Sequence, residues 1–170
     1  MLPHDVLPKS TVYDSFAPWR DDGTWAKLVK ALRERTRVAA GREPTPSAAC
    51  SESQTVKTTE RGGPARGDDG GKKIKGRQRH LLVETRGLLL AVLITRAGLD
   101  DGVAAPLLLR HVTPQDFPRL VTIFADQKYH HQALDAWMAT HRTGWRIEVK
   151  ARPEGIQGSL NLSEFVDGCS

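Results

Sequence analysis

Along the first forty residues, apolar positions recur at helical rather than alternating spacing. Leu28, Val29 and Leu32 follow Trp25 on one side of a projected helix, with Lys27, Lys30, Arg33, Arg35 and Arg37 forming a basic face. Asp22 or Thr24 is placed to cap that helix. Residues 1–46 therefore read as mostly helical, and Gly41 with Arg42-Glu43-Pro44-Thr45-Pro46 ends them in a linker.

Beyond the linker the pattern changes to that of strands. Ala48 to Val56 is a short candidate strand, and the run from 62 to 71 reads as a glycine-rich loop. From Ile74, basic residues 75, 77 and 79 alternate with Gly76 and Gln78, and the run turns apolar at Leu81-Leu82-Val83. Arg86-Gly87 is a turn before a buried strand from Leu88 to Thr95, so the two runs predict a hairpin. A helix over Val103–Val112, a strand over Leu120–Ala125, a helix over 130–142 and a strand over 145–151 complete the order. The sequence β-β-β-α-β-α-β predicts a mixed α/β domain with an initial antiparallel meander. No internal repeat or heptad pattern is present.

Composition narrows the class. The chain has 170 residues, 39% hydrophobic and 26% charged, as expected of one globular core. Its longest apolar run, Leu88 to Ile94, is far below the ~20 residues of a membrane span, and its start lacks the pattern of a signal peptide. Cys50 and Cys169 form no C-x-x-C, so they read as a small buried residue and a tail thiol in a reducing, cytoplasmic compartment.

Charge adds more. Between Lys57 and Arg86 lie nine Lys/Arg against four Asp/Glu, which accounts for the whole net charge of +5. A concentrated cationic segment suits a polyanion, whose condensed counterions Lys and Arg displace; a plain solvated face is the alternative. Other chemistry is excluded. Gly67 to Lys73 fails as a phosphate-binding P-loop, with three residues between its glycines and no hydroxyl after the lysine. The histidines join no cysteine or carboxylate at zinc-like spacing. Among carboxylates, Asp126 stands out because it ends the strand Leu120–Ala125, where sites gather in α/β sheets. Glu52 lies on the first strand. If those strands are neighbours, both acids reach one Mg²⁺; two exposed acids on strands are the plainer reading.

Several motifs resemble one family. Glu52-Ser53-Gln54-Thr55-Val56-Lys57-Thr58 is similar to the D-S-Q-S-V-K-T segment carrying the first catalytic Asp of insertion sequence family five transposases. Gly70 to His80 resembles their G-K-K-x-K-G-R-K-R-H strand, and Gly87 to Val92 matches the G-L-L-L-A-V that follows. Phe124 to Tyr129 resembles W-A-D-x-x-Y, which carries the second catalytic Asp, and Met1 to Asp5 and Trp19 to Trp25 resemble the family's N-terminal region. The resemblance runs from residue 1 to about Gly158.

It implies a bacterial DDE transposase with a ribonuclease-H-like mixed sheet. The division implied is a partial DNA-binding region at 1–46, an incomplete catalytic domain at 47–158 and a divergent tail at 159–170. It implies two Mg²⁺ or Mn²⁺ ions held by an Asp-Asp-Glu triad for in-line displacement at phosphorus, with Glu52 and Asp126 as catalytic and metal-holding residues. The implied partner is transposon-end DNA, held by Lys57, Lys72, Lys73, Lys75, Arg77 and Arg79, with a homo-oligomer left open and the nucleoid as location. Three departures predict a catalytically impaired copy. Glu52 replaces Asp, Ser159 to Ser170 does not match the W-V-V-E-R-like motif of the final Glu, and the chain begins inside the family's N-terminal region. Glu164 and Asp167 lie in that tail but outside the motif. A DNA-binding fragment without enzymatic activity and a non-functional relic are the alternatives.

Overall fold

The computed structural model describes residues 7–58, 63, 66–129 and 132–150. The chain divides into two compact units, Met1–Pro44 and Thr45–Ser170.

The first unit holds helices α1 (Lys9–Asp21) and α2 (Thr24–Ala39). Gly23 adopts φ 77°, a left-handed conformation open to glycine at little cost, and so turns the chain between them. Asp22 Oδ1 accepts from the Thr24 backbone N–H at 2.8 Å and satisfies one orphan donor of α2. Phe16 and Trp25 meet edge to face at 5.6 Å. The expected basic face of α2 is corrected at two positions. Arg33 and Arg37 are buried, whereas Trp25, Leu28 and Leu32 stay exposed. The physical reason is visible at Arg37, whose Nε donates to the Glu43 carbonyl at 2.8 Å.

The second unit is mixed α/β. In chain order it has β1 (Ala48–Lys57), β2 (Gly67–Asp69), β3 (Ile74–Glu84), β4 (Leu89–Arg96), α3 (Asp101–Leu109), β5 (Thr122–Asp126), a 3-10 turn (Gln127–Tyr129), α4 (Gln132–His141) and β6 (Arg146–Lys150). Antiparallel β3 lies between β1 and β4, while β5 runs parallel to β1 and β6 parallel to β5. The expected hairpin is β3–β4. Strand β2 corrects the expected loop: it pairs with Ile74 to Gly76, on the stretch of β3 that precedes the β4 pairing. β2 and the end of β4 abut, since a Cβ on Gly67 would strike the Ala97 carbonyl and one on Gly98 the Asp68 carbonyl. That packing fixes a strand three residues long, which no local pattern specifies. Residues 130, 131 and 151, expected at the ends of α4 and β6, lie outside the described residues.

Alternation along the strands gives the sheet two faces. On one, Ala49, Leu82, Ala91, Ile123 and Ala125 join Leu108, Val112, Leu134 and Met138 in the main core, beneath α3 and α4. Asp100 caps α3 by accepting from Gly102 and Val103 N–H. Arg142 Nη2 donates to the Leu109 and Val112 carbonyls at 3.0 and 3.1 Å, tying the end of α4 to the end of α3. On the other face Cys50, Val83 and Phe124 form a smaller cluster with Ala48 and Leu81 packed against it. No described helix is long and apolar enough to cross a membrane.

Candidate functional site

Parallel pairing brings the two proposed acids together. β1 and β5 pair in register through Ala48–Thr122, Ala49–Ile123 and Cys50–Phe124. Two residues further on, the same register sets Glu52 beside Asp126. Because side chains alternate, both project from the face of Cys50 and Phe124. Glu52 stands opposite Leu81 of β3, a neighbour that excludes water and offers no hydrogen bond. Its Oε1 is buried and unpartnered. Burial, and then the charge of Asp126, push the Glu52 carboxyl above its usual range. Asp126 Oδ1 accepts from the Lys128 backbone N–H at 2.9 Å, which fixes its orientation at the strand end.

Behind the pair, across the sheet, lies a buried polar network that the sequence reading missed. Asp101, in the first turn of α3, accepts from Gln78 Nε2 at 2.7 Å and sits 3.5 Å from His80 Nδ1. The other ring nitrogen of His80 meets Thr95 Oγ1 at 2.9 Å. Burial drives the Asp101 carboxyl up, but hydrogen bonds from His80 and Ser53 and the charges of His80 and Lys128 outweigh it and hold the group below the usual range. Tyr129 is 3% exposed. Its hydroxyl lies beside Ser51 without a well-formed hydrogen bond, and burial first, then Asp101, Asp126 and Glu52, push its pKa well up. The only hint in sequence was the alternation of β3, where Gln78 and His80 fall at inward positions.

The basic candidates separate into two groups. Lys57, Lys72 and Lys73 lie at the far end of β1 and in the β2–β3 turn. Lys72 Nζ is 3.8 Å from Asp69 and 3.1 Å from Thr55 Oγ1, and Lys75 Nζ is 3.9 Å from Asp68, so these two are partly neutralised locally. Arg79 and Arg77 stand opposite Gln54 and Val56 in the β1–β3 register. They therefore share the face of Glu52.

An acid pair with an orphaned oxygen, where the end of β5 lies beside the middle of β1 on a face bearing arginines, defines a candidate site for a hard cation and a phosphate-bearing ligand. Comparison with known families agrees in kind: the model described as transposase DDE domain matches residues 43–158, more than half the chain. The chain belongs to that family, which supports a transposase-like role in DNA transposition. No curated protein and no solved structure matched it.

The family implies divalent metal. The buried, unpartnered Glu52 Oε1 beside Asp126 fits such a group, since an unsatisfied carboxylate oxygen in a dry position gains from a cation. Among the described residues no cluster of three or more His, Cys, Asp or Glu is present to complete a donor set. Glu164 and Asp167 lie outside the described residues.

Proposed function

We propose that the second unit is a ribonuclease-H-like DDE transposase domain of the insertion sequence family five type, catalytically impaired in this chain. The juxtaposition of Glu52 and Asp126 carries this reading, with the orphaned Glu52 oxygen as its sharpest feature. The spatial order β4-β3-β1-β5-β6, with an antiparallel meander followed by two strands parallel to the first, supports the fold assignment.

Glu52 and Asp126 would hold Mg²⁺ or Mn²⁺, and the bound cation supplies charge stabilisation for in-line displacement at phosphorus. Asp126 keeps its carboxylate aimed through the Lys128 amide, and Leu81 keeps water from one side of Glu52. Impairment rests on Glu52 itself. Its carboxyl is one methylene further from the backbone than the family's Asp, and catalytic geometry is sensitive to shifts of about 1 Å.

The test is cleavage of a duplex carrying the element's end, in Mg²⁺ or Mn²⁺. The expected result is salt-dependent DNA binding without detectable nicking. Clear turnover by the unaltered chain that survives Asp126→Asn would remove the pair from the mechanism. A second reading, a DNA-binding transposase fragment without enzymatic activity, is favoured by the basic residues concentrated between Lys57 and Arg86, which carry the chain's whole net charge. It predicts that Mn²⁺ leaves the protein's thermal unfolding unchanged.

A further inference from the structure

The charge on the carboxylate face is arranged in rows. Strand β4 ends on Arg96, one residue beyond the expected strand end, and Arg96 stands directly opposite Arg77 in the β3–β4 register. Facing residues of an antiparallel pair project to the same side with Cβ atoms only ~5 Å apart, and like charges there repel. Arg79 comes next along β3, opposite Ile94 on one side and Gln54 on the other. Arg79 and Arg96 are exposed, and neither makes an ion pair among the described residues. Ile94, which faces Arg79 across the β3–β4 ladder, is 49% exposed, so this part of the face is open.

We infer that Arg96, Arg77 and Arg79 form a phosphate-binding row on the sheet face, and that a DNA strand crosses this row to reach Glu52 and Asp126. The inference rests on the reading that this chain binds DNA. It differs from the sequence-based expectation in two ways. It adds Arg96, and it moves the path from the lysine-rich β2–β3 tip to the open face.

Three arguments support it. Guanidinium groups at the facing positions 77 and 96 can share one anion, which such a pair binds through several N–H donors at once. Lys72 and Lys75 already lie near Asp69 and Asp68, so less of their charge is open to a ligand. The spacing also suits a polymer. Arg79 and the Arg77–Arg96 pair lie two and four residues along β1 from Glu52 in register. At ~3.4 Å per residue the pair is roughly 14 Å from Glu52 along the strands, with Arg77 one and Arg96 two strand spacings of ~4.8 Å to the side, a reach that spans more than one phosphate of a strand.

The experiment is fluorescence anisotropy of the full chain with a labelled duplex, from about 50 to 200 mM salt. Arg96→Gln and, independently, Arg79→Gln should each weaken binding on the order of tenfold. Each should also lower the slope of log K against log salt by about 0.9. Arg96→Lys should retain most of the slope, and Lys72→Gln should change it less than either glutamine variant. Thermal unfolding of each variant should match the parent, because both arginines are exposed. Parent-like binding and slope in Arg96→Gln and Arg79→Gln would overturn the row while leaving DNA binding intact. An equal loss for Lys72→Gln would overturn it in favour of diffuse charge. Absence of salt-dependent binding by the parent chain would overturn both the row and the DNA-binding reading beneath it.

Discussion

Gln78 Nε2 donates to Asp101 Oδ1 at 2.7 Å, with both side chains buried, and so pins the first turn of α3 to the middle of β3. The contact holds together two elements that lie directly behind the carboxylate pair. Beside it, hydrogen bonds from His80 and Ser53 and the charges of His80 and Lys128 keep Asp101 charged in a place where burial alone would favour the neutral acid.

Asp101 should therefore contribute stability that depends on pH. Its folded-state pKa is depressed, so the contribution is present above the unfolded value of about 3.9 and is lost as pH falls through the folded value. Asp101→Asn should lower stability at pH 7 by on the order of 2 kcal/mol, the scale of buried hydrogen bonds to a charged group. The gap to the parent should narrow as pH falls below about 4. Urea unfolding at several pH values measures it, and a gap independent of pH would contradict the assignment.

Metal should act through Asp126 and Glu52. If the pair holds Mn²⁺, a concentration 100 times Kd should stabilise the parent by about 2.7 kcal/mol. Asp126→Asn should abolish most of that shift, because the amide keeps the shape and loses the charge. Glu52→Asp alone should not restore DNA cleavage, since members of a catalytic constellation act as a unit and repairing one recovers little. Thermal shift with and without Mn²⁺, followed by the nicking assay, reads both.

Gly76→Ala should damage the sheet. Gly76 faces Lys57 in the β1–β3 register, and an added Cβ would collide with the Val56 carbonyl. The atoms met are all β1 backbone, which has little room to yield, so a loss of about 2 kcal/mol or more is expected, at the upper part of the range for overpacking. A melting temperature equal to the parent's would show that the two strands separate locally at that point.

Truncation in the core and on the open face should differ sharply. Leu82 is fully buried and Val92 is 46% exposed. Leu82→Ala should cost about 2–5 kcal/mol, whereas Val92→Ala should stay within about 0.5 kcal/mol. Equal losses in chemical denaturation would mean that the outer face is covered in solution.

The sheet strands, their order along the chain and the β3–β4 hairpin were legible because their pattern is local. Apolar runs such as Leu81-Leu82-Val83 and the turn at Arg86-Gly87 announce themselves. The chain's other decisions are tertiary. β2 exists because Gly67 and Gly98 let two backbones abut, and nothing within Gly67-Asp68-Asp69 says so. The alternation of β3 turns Gln78 and His80 inward but names no partner for them, and Asp101, more than twenty positions later, supplies it. Arg96 extends β4 one residue beyond Thr95, where the apolar run that predicts the strand ends. The acid pair itself was readable only as a condition: Asp126 ended a strand and Glu52 lay on another, but only parallel pairing makes them neighbours.

That pairing also bears on how the protein reaches its native state. The β3–β4 hairpin closes through a short turn and β1 reaches β3 across the stretch that holds β2, whereas β1 meets β5 only across a longer span that includes the hairpin, α3 and the segment after it. Non-local parallel contacts form slowly because the chain entropy of a long closure is lost before the contacts reward it. Glu52 and Asp126 should consequently come together late in refolding, after the hairpin has acquired protection from hydrogen exchange. Pulse labelling during refolding would show amides of β3 and β4 protected before those of β5. The acid pair would then serve as a marker of completed folding, and a partly folded chain could carry its arginine row without any capacity to hold a metal.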